Sequence, residues 1–262
     1  MSEKGGAIQD IEKFWNDRAT LGLEAGTPDL ILKQLEINAI AGYVRDGMRV
    51  LDAGCGNGVT ALELARRYRI DLLGIDLAAK MVAAAAAMAA DQKLKGTVAF
   101  RRGDVRSLSE FPEKFDLIYT ERVLINLPDW PTQQEAIKDI IGLLRDDGLY
   151  LMCESSRDGL DDINSLRKQL GLEVINPPWH NRYLRDQEIA QARIPGGRLV
   201  EVNYFSSTYY FLSRIVNAWL AAQEGREPDY QAPVNQLALK LPPRGKFGQV
   251  RIWVWRKVAD TL

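Results

Sequence analysis

The chain has 262 residues, 46% hydrophobic and 26% charged, enough for one sizeable core in an α/β domain with a cap. Its 34 basic and 35 acidic residues leave a net charge of −1, which argues against a sequence-independent hold on nucleic acid, since that requires a phosphate-neutralising surplus. Arg101, Arg102 and Arg106 come nearest to a basic patch and read as solvated surface.

Residues 1–10 read as a loose start without the charged-then-apolar pattern of a leader. Ile11, Trp15 and Ala19 then share one helical face, and a second helix is expected from Pro28 to about Val44, with Thr27 as N-cap. Gly47 stops it. Val50-Leu51 reads as the end of a buried strand, followed by the loop Asp52-Ala53-Gly54-Cys55-Gly56-Asn57-Gly58 and a helix near 59–68. Such a junction points free N–H groups at a ligand. Asp71–Asp76 reads as a second strand, with Asp76 placed 24 residues after Asp52, the length of one strand–helix–strand unit.

A crossover helix near 78–92 follows; its Ala83–Ala90 segment is too weakly apolar to hold in lipid, and no run reaches the roughly 18 apolar residues of a membrane span. Further strands are expected at about 98–102, 115–120 and 148–154, with a helix near 132–144. The alternation predicts a doubly wound, mostly parallel α/β sheet with right-handed crossovers. Arg198–Phe205 and Gln249–Arg256 alternate as strands, and insertions at 155–185 and 207–247 emerge at the carboxyl ends of the parallel strands, where such sheets bind ligands. The N-terminal helices of residues 1–46 precede a domain of residues 47–262. Cys55 and Cys153 both fall inside the expected core, so small-residue packing and a reducing, cytoplasmic setting are the default.

The glycine spacing narrows the ligand. A dinucleotide site takes G-x-G-x-x-G, whereas here the order is G-x-G-x-G, with Val59 in place of the third glycine and the acid Asp52 in front. A carboxylate there repels pyrophosphate and suits an ammonium or sulfonium. At these residues, and at Asp76, Gly103-Asp104-Val105 and Phe115–Glu121 in the same order, the chain resembles the class I S-adenosylmethionine-dependent methyltransferases. The resemblance covers about 47–206 and implies a Rossmann-like seven-stranded sheet whose last strand is antiparallel. It implies S-adenosyl-L-methionine as cofactor, with Asp76 on the ribose hydroxyls, Asp104 and Val105 on the adenine, and Thr120-Glu121-Arg122 beside the methionine half. The expected cofactor site is Trp15, Arg18, Asp52, Gly54, Gly56, Asn57, Asp76, Leu77, Met81, Asp104, Val105 and Glu121.

Methyl transfer asks the protein to position, desolvate and, for a hydroxyl acceptor, deprotonate. The single histidine, His180, lies in the first insertion beside Trp179, Asn181 and Tyr183, and is the expected base. Glu154, at a strand end, is expected to orient it or bind the acceptor; Glu121 is a weaker base or a partner for the cofactor's ammonium. Of Tyr209 and Tyr210, one is expected in the core and one in the pocket. Asp161-Asp162-Ile163-Asn164 offers hard-cation ligands, but adjacent acids also suit the first turn of a helix, and no metal is expected.

Val123–Leu127, Pro178–Asn181, Ser207–Tyr210 and Leu241-Pro242-Pro243 further resemble a subgroup of bacterial methyltransferases associated with sugars and surface polysaccharides. The expectation is methyl transfer to a hydroxyl of a small polar or carbohydrate acceptor, without nucleic-acid or membrane partners. An amine N-methyltransferase and a non-catalytic cofactor-binding protein are the alternatives.

Overall fold

A computed structural model describes residues 8–108 and 111–258, the side chain of Leu23 excepted. Among these residues seven strands form one sheet: β1 (Arg49–Ala53), β2 (Asp71–Asp76), β3 (Thr97–Arg102), β4 (Phe115–Glu121), β5 (Leu144–Ser155), β6 (Gly197–Asn203) and β7 (Val250–Lys257). Their order is β3-β2-β1-β4-β5-β7-β6, with β7 antiparallel to both neighbours and the remaining pairs parallel. The doubly wound sheet with an antiparallel last strand is as expected.

Strand alternation divides the core between the two faces. Val50, Leu72, Leu117 and Leu151 pack on one side with Ile40 of α2 (Leu30–Ala41) and Leu64 of α3 (Val59–Arg67). Leu51, Ile75, Ile118 and Met152 pack on the other with Ile137 and Ile140 of α5 (Trp130–Gly142). Each such side chain contributes about 1.5–3 kcal/mol by burial. The alanine-rich segment becomes α4 (Ala79–Ala90), a crossover helix with Met81 and Ala85 inward.

Several boundaries differ from expectation. The first helix, α1, spans Ile8–Arg18, so part of the loose start is helical; residues 1–7 lie outside the described residues. The N-cap of α2 is Asp29, whose carboxylate accepts the Leu32 N–H, while Thr27 Oγ1 accepts from Asp29 N. The cap thus moves to the residue whose side chain reaches the free N–H. The fifth strand begins at Leu144 rather than at the expected 148, and Asp146-Asp147-Gly148 forms an irregularity in its pairing with β4, with Asp147 at φ 60°.

The first insertion carries α6 (Arg157–Gln169), capped by Ser156, and folds back so that Leu184 pairs beside Ser155 and Ser156. Asp161 accepts from Arg157 and Arg185, which occupies the candidate metal ligand with ion pairs. The second insertion opens with α7 (Ser207–Tyr210), widens into a π-helical stretch over Phe211–Asn217 and continues as α8 (Ala218–Gln223). The three arginines of the supposed basic patch pair with Glu113, Glu12 and Asp104.

Candidate functional site

A cavity of about 510 Å³ opens at the carboxyl ends of β1, β2 and β4, under α1, α2 and both insertions. Trp15, Arg18, Asp52, Gly54, Gly56, Asn57, Asp76, Leu77, Met81, Asp104, Val105 and Glu121 all line it, as does His180; Glu154 does not.

The glycine loop shows why its glycines differ. A Cβ on Gly54 would fall 2.3 Å from Val123 Cγ2, and one on Gly58 2.8 Å from Phe100, so both are required by protein packing and by positive φ. Gly56 (φ 52°) has nothing within 4 Å of that position and faces the cavity. Its N–H donates to Asp76 Oδ2 at 2.8 Å, and Ala78 N donates to Oδ1 at 2.8 Å, which fixes the carboxylate at the wall. Burial raises the Asp76 pKa against those two bonds. Asp52 is buried beneath the loop and accepts Tyr119 Oη at 2.7 Å; burial pushes it up to about 8, the Tyr119 bond opposing. Asp104 is chelated by Arg106, whose Nε lies 3.0 Å from both carboxylate oxygens.

Glu121 takes hydrogen bonds from Lys33 and from Thr60 Oγ1 (2.7 Å), with Arg122 3.6 Å away. Burial alone would raise its pKa, but Lys33 and Arg122 outweigh it and hold it down to about 2. It therefore stays ionised and is too acidic for the general-base role considered for it. Glu36, fully buried against Arg122 at 3.1 Å, moves the other way, pushed up to about 8 by burial and by Glu121.

On the cap side His180 sits among rings: Phe14 at 4.5 Å, Trp179 at 5.2 Å and Trp15 at 5.9 Å between centroids. Its Nδ1 is buried without a partner, and burial, then the nearby Arg18 charge, lowers its pKa. Glu154 does not orient it. That carboxylate instead accepts the backbone N–H groups of Val123 and Leu124 at 3.0 Å and of Ile125 at 3.4 Å, and so clamps a 3₁₀ turn (Leu124–Asn126). Its expected acceptor role is replaced by a positioning one, because the oxygens are spent on backbone donors. The turn in turn holds the His180 segment: Arg182 N donates to Ile125 O, and Gln133 Nε2 to both Leu124 O and Arg182 O.

Trp15 Nε1 donates to Asn126 Oδ1 at 3.3 Å, and Arg18 donates to Ala25 O and Glu24 O. Asn57 Nδ2 donates to Gly22 O at 2.5 Å, tying the N-terminal segment to the glycine loop. Both Tyr209 and Tyr210 are buried, and Tyr210 lines the cavity. Tyr209 Oη donates to Asp29 at 2.5 Å, which also receives Arg214 at 2.8 Å. Lys33, Thr60, Tyr119 and Asp29 were missed at the sequence level; none has a motif, and each is recruited by packing across 61 (Thr60), 67 (Tyr119) or 88 (Lys33) residues, while Asp29 has its partner Tyr209 180 residues away.

The family described as "Methyltransferase domain" matches residues 44–182, just over half of the chain. Among curated relatives, phosphoethanolamine N-methyltransferase 3 of Arabidopsis thaliana is 28% identical over 55% of this chain and 29% of its own length. The ubiquinone biosynthesis O-methyltransferase of Psychrobacter cryohalolentis is 29% identical over 46% of this chain and 54% of its own. The matched region thus spans less than two thirds of these relatives. Among solved structures, the cyclase SpnF shares 21% identity with a TM-score of 0.65, covering 98% of both chains. A TehB-like S-adenosylmethionine-dependent methyltransferase from Corynebacterium glutamicum shares 15% with a TM-score of 0.56, covering 95% of this chain and 99% of that one. At these identities the structural likeness speaks for the fold, which in SpnF carries a cyclase. The matched family model rests on the strands and loops that build the acid-lined half of the cavity, and the chain belongs to the methyltransferase domain family.

Proposed function

We propose that the chain is an S-adenosylmethionine-dependent methyltransferase acting on a hydroxyl of a small polar or sugar-type acceptor. The observation that carries the reading is one cavity in which an acid-lined wall and the open face of Gly56 meet a cap bearing His180. The donor set fits the cofactor: Asp76 presents a fixed carboxylate for ribose hydroxyls, Asp104 and Val105 line the wall where the resemblance expects adenine, and the ionised Glu121 favours a cationic methionine half. When bound, S-adenosylmethionine supplies a methyl group on a sulfonium, so no protein nucleophile is required.

The remaining work falls to the cap. His180, with its pKa lowered, is neutral at pH 7 and free to take the acceptor's hydroxyl proton. Phe14, Trp15 and Trp179 keep water from it. Glu154 fixes the 124–126 turn and, through Arg182, the His180 segment. In this reading residues 1–46 form the lid and the two insertions the acceptor cap. A cytoplasmic setting is supported by two free, buried cysteines.

The test is calorimetric titration of wild type and Asp76→Ala with S-adenosylmethionine and S-adenosylhomocysteine. Micromolar binding, about −8 kcal/mol, that weakens at least tenfold in the variant is expected. Absence of binding by both ligands, with and without a hydroxylated acceptor panel, would overturn the reading.

A further inference from the structure

Tyr210 is the side chain that the cofactor reading leaves without a task. Its ring is completely buried, its hydroxyl has no hydrogen-bond partner, and it lines the cavity on the cap side. A buried hydroxyl left unpaired costs stability, so its retention calls for a ligand partner or another reason. The packing is built around this ring: at Gly248 (φ 107°) a Cβ would fall 2.8 Å from Tyr210 Cδ2.

The charges beside it are unusual for a neutral acceptor site. Arg122 and Arg214 both line the cavity, with Lys33 on the same wall. The Arg214 guanidinium lies 5.4 Å from the Tyr210 ring centroid and 4.7 Å from that of Tyr230, held there by the π-helical stretch, a feature that recurs at functional sites. Arg122 has φ 58°, a left-handed conformation that strains a non-glycine residue, and it lines the same cavity with its guanidinium 3.1 Å from Glu36. Against these three cations stand Asp29, Glu121 and Glu36, and burial pushes Glu36 toward its protonated form, which shifts the balance on this wall toward positive charge.

We infer that Tyr210, with Arg122 and Arg214, forms a subsite for an anionic oxygen of the acceptor, a carboxylate or a phosphate, on the cap side of the cavity. The inference rests on the methyltransferase reading for the word acceptor, but the anion subsite is tested apart from it. The subsite would take the acid group through the Tyr210 O–H and the guanidinium N–H donors, and so orient the hydroxyl toward His180.

Benzoate, phenyl phosphate and the neutral benzamide are titrated into wild type and Tyr210→Phe, each with and without S-adenosylhomocysteine. One anion is expected to bind at least tenfold more tightly than benzamide, and which one it is separates carboxylate from phosphate. Tyr210→Phe should erase most of that preference, leave benzamide and S-adenosylhomocysteine binding unchanged, and keep or raise Tm, because it deletes only an unpaired hydroxyl. Equal binding of anions and benzamide, or an anion preference that survives in Tyr210→Phe, would overturn the subsite. Loss of S-adenosylhomocysteine binding with the anion preference intact would instead overturn the cofactor reading alone.

Discussion

The two halves of the cavity are built by different means. The acid-lined half comes from strand ends and the loops that follow them between Asp52 and Glu121, and neighbouring strands in register set its spacing. The cap half is assembled from α1, α2, the 124–126 turn, the 178–184 segment and the 207–217 helix, which meet mainly through side chains, with one backbone bond from Arg182 to Ile125. A sheet fixes its half by backbone hydrogen bonds; the other half depends on a few buried polar contacts, and its residues are correspondingly open to change.

The largest effect is expected at His180. With a hydroxyl acceptor, His180→Gln is expected to lower kcat by about 10²–10⁴-fold while S-adenosylhomocysteine binding stays within twofold, since the ring lies on the cap side. The wild-type rate should fall on the acid side below the ordinary histidine pKa, because burial lowers this one. A variant that keeps full kcat would favour an amine acceptor that arrives neutral.

Asp29→Ala tests the joint between α2 and the 207–217 helix. It removes an N-cap and leaves Arg214 and Tyr209 without their carboxylate, so chemical denaturation should show a loss of about 3–5 kcal/mol. A loss under about 1 kcal/mol would show that the cap is not held there.

The pH dependence of stability probes the acid-lined half. Asp52 rises from its ordinary 3.8 to about 8 in the folded chain, so the folded state keeps a proton that the unfolded state has lost. Its contribution to stability is full below about pH 4 and is lost as pH rises toward 8. Asp52→Asn should therefore flatten the fall of Tm between pH 5 and 8, leaving the shares of Glu36 and Glu154, which burial also raises. An unchanged slope would place the Asp52 pKa near its ordinary value.

The sequence by itself determined the fold and the acid-lined half: strand and helix alternate visibly, and Asp52, Gly56, Asp76 and Asp104 stand at intervals that one strand–helix–strand unit repeats. His180 was visible because no other histidine competes with it. Its aromatic surroundings from α1, the diversion of Glu154 to backbone N–H groups, and the pairing of Lys33 with Glu121 were decided only by the tertiary structure. Local patterns record hydrogen bonds along the chain and between strands, whereas which carboxylate stays charged or keeps its proton depends on the cations and the burial that distant segments bring to it.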